Sequence, residues 1–514
     1  MVALPSLYNT LTRKTEPITP VRPNEVGVYC CGPTVYDVPH AGHARAALAP
    51  DLLVRRLRAL GVRVKYVRNV TDVDDKILER AEKNGETPLE LSSRMTDVYQ
   101  TQMRAVGCVA PDHEPKVSEH LPQIFAIVKE LVARGSAYEV DMPGGARDVY
   151  FAVRSFAGYG KLSRRKLDEL VSGARVESGA EKRDPLDFAL WKGAAEGQWG
   201  WESPWGRGRP GWHIECSAMC THYLGQPLDV HAGGMDLIFP HHENEIAQSE
   251  AAHPDHGPLA NVWMHNGFVN VDKEKMSKSL GNFVTVTDVL DRNDPEGFRC
   301  FLLAAHYRVP IQFDTEKLPD GRVVFPLVDE AERRMDHAFA AVSRLEALAH
   351  AGGTAPSKLP PDLIAYRDQS QKAIQDAEGA LDDDLNTPVA LAALAALTGM
   401  GHELADAAQK RRKDTAFVGA AGVAAQHVLA ALRRLGDQLG LLLTTPADYA
   451  ARSQARRLAL RSLSAESIDQ KVRERTAARA AKDFAKGDAI RAELAGLGVV
   501  LSDGPAGTEW SVAQ

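Results

Sequence analysis

Cysteine is scarce in this chain, with six residues among 514. So few cysteines over such a length exclude a disulfide-stapled fold, and the paired C-x-x-C motifs of common zinc modules are absent. We find no apolar run long enough to cross a bilayer, and the opening stretch MVALPSLYNTLTRK has no signal-peptide core. We therefore expect a cytoplasmic protein without a membrane partner. In such a protein, clustered cysteine and histidine are metal ligands or reactive groups.

An excess of positive charge is also lacking, since the formal net charge is −7. A polyanion site must therefore be a local patch. One such patch is predicted near the end of the chain, where residues 451–491 contain eleven Lys and Arg against five Asp and Glu. Local positive charge of this kind suits a phosphate backbone.

The first hundred residues carry the pattern of a parallel α/β sheet. Residues 25–32 (EVGVYCCG) predict a buried strand, residues 44–61 a helix that ends at a glycine, and residues 62–70 a second strand. Strand–helix–strand is the unit of a parallel, Rossmann-like sheet, although the G-x-G-x-x-G of dinucleotide-binding folds is missing. Pro50 lies inside the predicted helix, so a kink or a restart is expected there.

The rest of the chain divides by composition. Residues 126–210 mix short strands with loops rich in Gly, Arg and Trp, the α/β pattern then returns, and another strand pair is expected near residues 261–271. An Ala- and Leu-rich stretch at helical period predicts an all-α bundle, residues 444–454 are expected to form a linker, and the last sixty residues a small α+β unit. The expected boundaries are 1–125 and 211–260 for the two halves of an α/β domain, 126–210 for an insertion, 261–325 for a connecting region, 326–445 for the bundle and 455–514 for the C-terminal unit.

His40-Ala41-Gly42-His43 lies where the first strand gives way to the first helix. Open α/β sheets bind ligands at this edge, and free N–H groups at a helix N-terminus attract anions. Two imidazoles beside a glycine can donate to phosphate oxygens while the backbone approaches closely. These four residues alone leave open a zinc-binding pair and two plain surface histidines.

The stretch DKEKMSKSLGN, residues 272–282, holds Lys273, Lys275 and Lys278 close together. Lysines on a loop suit a group whose negative charge shifts during reaction, such as a pyrophosphate leaving group. Without other information, a solvated Lys-rich surface loop explains the run equally well.

A third constellation suits a metal ion. His241 and Glu245 are four residues apart, so a helix would present both on one face, and Cys216 and Cys31 would add two thiolates. Two thiolates, an imidazole and a carboxylate suit tetrahedral Zn²⁺.

Other cysteines compete with this set. Cys220 and His222 form a rival ligand pair, whereas Cys30 should point to the opposite face of its strand from Cys31. Spacing alone does not decide between these sets, and buried structural cysteines would explain the same pattern.

The paired motifs HAGH and KMSKS resemble the signatures of class I aminoacyl-tRNA synthetases. Together with CGPTVYD, RNVTDVDDKI, GWHIECSAM, GGMDLIFPHHENEIAQ and DGPAGTEW, they resemble the cysteinyl-tRNA synthetase family over essentially the whole chain. The first motif departs from the usual H-I-G-H only by Ala41, which reduces apolar packing and leaves the polar groups intact.

The resemblance implies a role for each candidate residue. It implies ATP binding by His40, Gly42 and His43, ribose binding by Gly234 and Asp236, transition-state stabilisation by Lys278 with Lys275, substrate binding by Thr71, Trp212 and His231, and zinc binding by Cys31, Cys216, His241 and Glu245. It also implies that residues 261–325 contact the tRNA stem and that the bundle and the C-terminal unit read the anticodon end.

The implied activity is ATP-dependent ligation of L-cysteine to tRNA(Cys) through a cysteinyl-adenylate. One zinc ion per chain would select the substrate thiolate, and ATP would enter with Mg²⁺. We expect a monomer. The alternative is a cysteine:amino-sugar ligase of mycothiol biosynthesis, which resembles this core but lacks the full C-terminal unit present here.

Overall fold

The computed structural model describes residues 3–142, 144–167, 182–271, 274–275, 283–319, 321–351, 359–504 and 507–513. Within these ranges the chain forms two compact units. The first comprises residues 1–270, 305–311 and 378–387, and the second comprises residues 271–304, 312–377 and 388–514.

The elements up to residue 266 are, in chain order, β1 (Ser6–Asn9), β2 (Lys14–Pro17), β3 (Glu25–Cys30), α1 (Ala41–Ala59), β4 (Arg63–Arg68), α2 (Asp75–Asn84), α3 (Pro88–Ala105), α4 (Leu121–Ala133), β5 (Ala137–Asp141), β6 (Arg147–Phe151), β7 (Phe188–Gly193), β8 (Gly208–Pro210), α5 (Trp212–Leu224), β9 (Leu228–Gly234), α6 (Glu243–Ala252) and β10 (Ala260–Asn266).

The later elements are β11 (Val269–Val271), β12 (Glu274–Lys275), α7 (Val286–Leu290), α8 (Pro295–Leu303), β13 (Ile311–Phe313), β14 (Glu316–Lys317), β15 (Val323–Val324), α9 (Pro326–Ala351), α10 (Pro361–Asp382), α11 (Thr387–Lys410), α12 (Thr415–Leu439), α13 (Pro446–Leu460), α14 (Ala465–Ala480), α15 (Phe484–Gly496), β16 (Val499–Gly504) and β17 (Gly507–Val512).

The first unit is built on a parallel sheet with strand order β10-β9-β3-β4. Its central strands are apolar and buried, as in sheets covered on both faces. Strands β5 to β8 form a separate antiparallel sheet, which is the predicted insertion. The predicted fold class is therefore confirmed: a Rossmann-like sheet with an insertion, followed by a helical bundle and a C-terminal hairpin.

The strand order creates a switch point between β3 and β9. From β3 the chain passes through α1 to β4 on one side, whereas β9 is followed by β10 on the other side. Adjacent connections that leave in opposite directions open a crevice at the carboxyl ends of the two strands, and open α/β sheets bind ligands there.

Two local expectations hold only in part. At Pro50 a kink or a restart was expected, and helix α1 continues through this residue without a restart. Because most of its residues from Ala47 to Leu57 are buried, packing outweighs the single backbone bond lost at the proline. Both strands expected near residues 261–271 form, as β10 and β11, but they lie in different sheets: β10 joins the parallel sheet beside β9, and β11 lies between β12 and β13.

The second unit contains long helices and a small C-terminal core. Residues of α13, α14, α15 and the β16–β17 hairpin share that core, among them Leu458, Ile468, Leu494 and Leu501. The predicted linker is wrong, because residues 446–454 form the first turns of α13. The Thr445 hydroxyl accepts from the Asp448 amide at 3.1 Å, which caps the helix.

Helices α11 and α12 are long and apolar enough, by length and composition, to cross a bilayer, contrary to the expectation from the sequence. The packed helix of a bundle meets the same criterion. In α12, 61% of the most apolar window is buried within the protein. Length and composition are therefore weak evidence for a membrane segment here.

Candidate active site and metal centre

The crevice between β3 and β9 receives the first histidine motif. His40 is the N-cap of α1, and its backbone N–H donates to Nδ1 of His43 at 3.1 Å. The two imidazoles are stacked, with ring centroids 3.8 Å apart. Gly42 lies in the first turn between them. The motif thus places two imidazoles and the N-terminus of a helix at the carboxyl edge of the sheet.

The other side of the crevice is formed by the end of β9. Gly234 ends the strand, and Asp236 follows it in an exposed turn. The backbone here is closely packed: a Cβ on Gly233 would lie 2.7 Å from Cε1 of His242. Close packing of this kind requires glycine at that position.

Cys31, Cys216, His241 and Glu245 bring their donor atoms within 4.8 Å of one another. The Sγ atom of Cys31 lies 3.5 Å from Nε2 of His241 and 3.4 Å from Oε1 of Glu245. The latter two atoms are 3.0 Å apart. Cys31 follows the end of β3, Cys216 lies on helix α5, His241 lies in the kinked segment 238–242, and Glu245 lies on α6, which that segment precedes.

The electrostatics of the cluster suit a cation. Burial opposes the charged form of Glu245, but the neighbouring His231 and His241 hold its pKa well below the ordinary value. A hydrogen bond from Cys31 lowers the pKa of Cys216 to about 6. Burial and the neighbouring Cys216 and Glu245 raise the pKa of the Cys31 thiol well above its ordinary value. Burial opposes the charged form of His241, but Glu245 and Cys216 raise its pKa to about 10. The Cys216 sulfur and the Glu245 carboxylate are therefore the anionic groups, and negative charge in a buried site needs a cation. Two sulfurs, one imidazole and one carboxylate fit zinc.

The rival cysteines lie elsewhere. The Cys220 thiol donates to the Ser217 carbonyl at 3.5 Å, and within the described ranges Cys30, Cys220 and His222 join no group of metal-ligating side chains. Burial raises the pKa of the Cys30 thiol to about 12, which is typical of an inert core cysteine.

A second group of possible metal ligands shares two residues with the first, and the sequence analysis did not predict it. Cys31 and Glu245 also lie within reach of His231 and His242. Nε2 of His231 is 2.9 Å from Oε2 of Glu245, and its ring stacks on Trp263 with centroids 4.5 Å apart. The HH pair in FPHHENE is the signal that points to His242, since both histidines adjoin the helix that carries Glu245.

The predicted substrate residues surround this cluster. Trp212, at the start of α5, is 38% exposed and stacks on His241 with ring centroids 4.5 Å apart. Thr71 is buried, and its hydroxyl donates to Oε2 of Glu215 at 3.1 Å. Burial and the charge of Cys216 raise the pKa of Glu215 well above its ordinary value.

Glu215 and Asn69 were not singled out in the sequence. The side-chain carbonyl of Asn69 accepts from the Gly32 amide at 2.9 Å and lies 3.6 Å from Sγ of Cys216. A Cβ on Gly32 would overlap the Asn69 backbone carbonyl. Asn69 therefore joins the turn after β3 to α5. Its position two residues before Thr71 was the available signal, because alternate residues of an extended segment share a face.

The lysines of the second motif cannot be placed relative to these groups. Lys278 lies outside the described residues, and for Lys275 the structure describes the backbone strand β12 alone. Their predicted role in catalysis stays a prediction.

Known proteins share both the sequence and the fold. The family model for the catalytic domain of class I (C) tRNA synthetases matches residues 17–322. The cysteine--tRNA ligase of Anaeromyxobacter sp. (strain K) is 48% identical over 510 residues, which cover 98% of this chain and 99% of that protein. The cysteine--tRNA ligase of Oleidesulfovibrio alaskensis (strain ATCC BAA-1058 / DSM 17464 / G20) is 44% identical over 507 residues, 99% of this chain and 100% of that protein.

Among solved structures, methionyl-tRNA synthetase of Mycobacterium tuberculosis in complex with methionyl-adenylate superposes with a TM-score of 0.61. The match covers 81% of this chain and 91% of the other, at 17% sequence identity. At that identity the likeness is one of fold.

Proposed function

This chain belongs to the cysteine--tRNA ligase family of class I aminoacyl-tRNA synthetases, and from that premise we propose that Cys31, Cys216, His241 and Glu245 hold one zinc ion that selects the cysteine substrate by its thiol. Membership implies cysteine, ATP and tRNA(Cys) as substrates. The observation that carries the proposal is that these four buried side chains place their donor atoms within 4.8 Å of one another.

The need for a metal follows from the substrate. Cysteine must be separated from serine and alanine, and an apolar pocket distinguishes such small changes by only about 1–3 kcal/mol. A bound zinc ion supplies a soft Lewis acid that favours a thiolate over a hydroxyl. The residues around it shape the pocket: Trp212 covers the His241 ring, and His231 holds the Glu245 carboxylate at 2.9 Å.

Thr71 is proposed to receive the substrate amino group. Its hydroxyl hydrogen is directed at Glu215, and its oxygen accepts from the Asn69 side-chain amide at 3.4 Å, which leaves one lone pair for an ammonium N–H. Glu215 places a buried carboxyl group behind that hydroxyl. A positively charged amino group would therefore meet an acceptor that is already oriented, with an acidic side chain next to it.

ATP is proposed to lie along the β3–β9 crevice. His40, Gly42 and His43 would hold its phosphates at the start of α1, and Gly234 with Asp236 would hold its ribose at the end of β9.

Both chemical steps depend on these fixed groups. The cysteine carboxylate would attack the α-phosphorus of ATP and the bond to pyrophosphate would break, with Lys275 and Lys278, together with the Mg²⁺ that accompanies ATP, balancing the charge of the leaving pyrophosphate. A ribose hydroxyl at the end of tRNA then attacks the adenylate. Positioning and electrostatic stabilisation suffice for both steps, with no covalent enzyme intermediate. We further propose a cytoplasmic monomer whose C-terminal unit binds the anticodon end of tRNA.

Two cysteines on α5 offer a matched test of the zinc assignment. Cys216→Ser removes a proposed ligand, whereas Cys220→Ser changes an equally buried thiol one turn away that lies outside the cluster. Purified wild-type protein and C220S should contain one zinc per chain, and C216S should contain much less.

The functional readout is cysteine-dependent ATP–pyrophosphate exchange with serine as competitor. C216S, and wild-type protein depleted of zinc with its circular dichroism unchanged, should lose the preference for cysteine over serine. Retention of that preference by folded, zinc-free protein would overturn the proposal.

A further inference from the structure

The proposed cysteine pocket takes its walls from two segments of the first unit. Thr71 lies four residues before Asp75, the first residue of helix α2. Trp212 is the first residue of α5, and Cys216 lies one turn further along that helix. The Thr71 hydroxyl donates to Glu215 at 3.1 Å and joins the two segments inside the protein. The shape of the pocket therefore depends on what holds these segments at a fixed separation.

The two segments pack in different hydrophobic clusters. Val70 and Ile77 belong to the cluster around α2 and α3. Leu190 of β7 and Ile214 of α5 belong to a larger cluster that includes the insertion sheet. Because the clusters are separate, polar contacts between the segments help to fix one against the other.

Asp75 makes such a contact between α2 and the insertion sheet. It is half-exposed, and its Oδ1 accepts from Nη2 of Arg209 at 2.7 Å and from Nε at 3.0 Å. Its Oδ2 accepts from Nζ of Lys192 at 2.9 Å. Burial opposes the charged form of Asp75, but the bonds to Lys192 and Arg209 hold its pKa below the ordinary value. One carboxylate thus binds two strands, since Lys192 lies on β7 and Arg209 on β8.

Lys192 and Arg209 lie directly opposite each other in the antiparallel β7–β8 pair. Side chains at directly opposite positions leave the sheet on the same face, and like charges there destabilise the strand pair. Asp75 binds both cations and turns this repulsion into attraction. Without its charge, two cations would face each other beside α2, and the attraction that holds β7 and β8 against that helix would be lost.

The end of β8 is tightly connected to Trp212. Gly211 alone separates the strand from this residue. The Gly211 amide donates to the Leu190 carbonyl at 2.9 Å, and a Cβ on Gly211 would lie 2.0 Å from the Ala189 carbonyl oxygen. The backbone before Trp212 therefore lies directly against β7, and the Trp212 ring in turn stacks on His241. A shift of β7 and β8 would move this wall of the pocket.

We propose that Asp75 is a positioning residue for cysteine binding. Through its two basic partners it holds the segment that carries Trp212 against the segment that carries Thr71. The proposal rests on the proposed function, from which it takes the cysteine pocket. The same pocket holds cysteine before and during the reaction, so loss of the carboxylate should raise KM for cysteine and change kcat little.

The competing explanation is that Asp75 only stabilises the fold. A less stable protein contains a smaller fraction of active enzyme, which lowers the apparent kcat and leaves KM for both substrates unchanged. The two explanations therefore predict opposite changes in the two kinetic constants.

Cysteine-dependent ATP–pyrophosphate exchange by the full-length protein separates them, with circular dichroism and zinc content measured on each variant. Asp75→Asn keeps the size of the side chain and removes its charge. KM for cysteine should rise about fivefold, as expected for loss of a partly exposed charge network, with kcat and KM for ATP within about twofold of wild type. The matched control is Asp141→Asn, which breaks an exposed pair with Arg147 at 3.3 Å elsewhere in the insertion and should change neither KM.

Arg209→Gln provides a second test through its dependence on Asp75. In the wild-type background it should raise KM for cysteine about threefold. In the D75N background it should leave that KM unchanged or lower it, because it removes one of two facing cations.

Additive increases in the double variant would overturn the proposal, as would an unchanged KM for cysteine in D75N or an equal rise in KM for ATP. If the wild-type protein catalyses no cysteine-dependent exchange, the proposed function itself has failed.

Discussion

Asp294 forms ion pairs with two arginines of helix α13 in the second unit. It is fully buried, it caps helix α8 by accepting from the Glu296 amide at 2.9 Å, and it accepts from Arg452 at 2.7 Å and Arg456 at 3.3 Å. Asp294→Asn retains the size and the capping oxygen of the side chain, since asparagine is as good an N-cap as aspartate. The substitution therefore removes the charge and replaces the carboxylate oxygen that accepts from Arg452 and Arg456 with an NH2 group, which donates.

The expected loss of stability in D294N depends on the ion pairs that Arg452 and Arg456 keep with other carboxylates. Breaking a buried ion pair by removing one partner costs about 3–5 kcal/mol. Arg452 keeps a contact with Glu296 at 3.4 Å, and Arg456 keeps Glu332, so the lower end of this range applies. We expect D294N to lose about 3 kcal/mol of stability in the second unit, which corresponds to about a 100-fold change in an opening equilibrium.

Hydrogen exchange measured by mass spectrometry tests this prediction segment by segment. Amides of α8 and α13 should exchange about 100-fold faster in D294N, because local opening there needs less free energy. The matched control is Asp376→Asn, which breaks the exposed pair with Lys372 and should change protection by less than a factor of about 3. Equal protection in D294N and wild type would refute the reasoning that buried pairs hold α13 in place.

Three further predictions concern activity. Lys278→Ala should slow cysteinyl-adenylate formation by about 100-fold or more with little change in cysteine affinity, whereas Lys273→Ala, measured in the same pyrophosphate-exchange assay, should have a small effect. Thr71→Val should raise KM for cysteine by about tenfold and change kcat less, because one hydrogen bond to the ammonium group is lost; an unchanged KM would remove Thr71 from the amino-group site. Truncation after Leu463, which keeps α13 and its ion pairs, should spare pyrophosphate exchange and weaken tRNA charging, and equal loss of both would indicate a structural role for the C-terminal unit.

The local elements of the first unit were predictable from sequence because they depend on short-range patterns. The strand before Cys31 and the helix that follows His40 appear where periodicity and turn residues place them. The segment predicted to be a linker contains a Thr-Pro-x-Asp helix start. The signal for the helix was therefore present in the local sequence, and the prediction of a linker was wrong.

Other features depend on contacts that sequence spacing does not reveal. Glu215 meets Thr71 across 144 residues, and Arg452 meets Asp294 across 158 residues. Counting charges along residues 451–491 predicts a basic surface, yet the acids that neutralise it come from α8 and α9 and the residues before them. A charge count treats each arginine as solvated, whereas folding pairs several of them inside the protein.

The two proposed sites meet at the end of one strand. Cys31 directly follows β3, and His40 is the N-cap of the next helix, so eight residues separate the proposed metal centre from the proposed phosphate-binding helix start. On the neighbouring strand β9, His231 faces the metal cluster, while Gly234 and Asp236 lie at the strand's end beside the crevice. In the proposed arrangement, the switch point between β3 and β9 would give each substrate contacts on both strands. Activation requires the cysteine carboxylate to approach the α-phosphorus of ATP, and two binding sites at one edge of the sheet would place the two substrates next to each other.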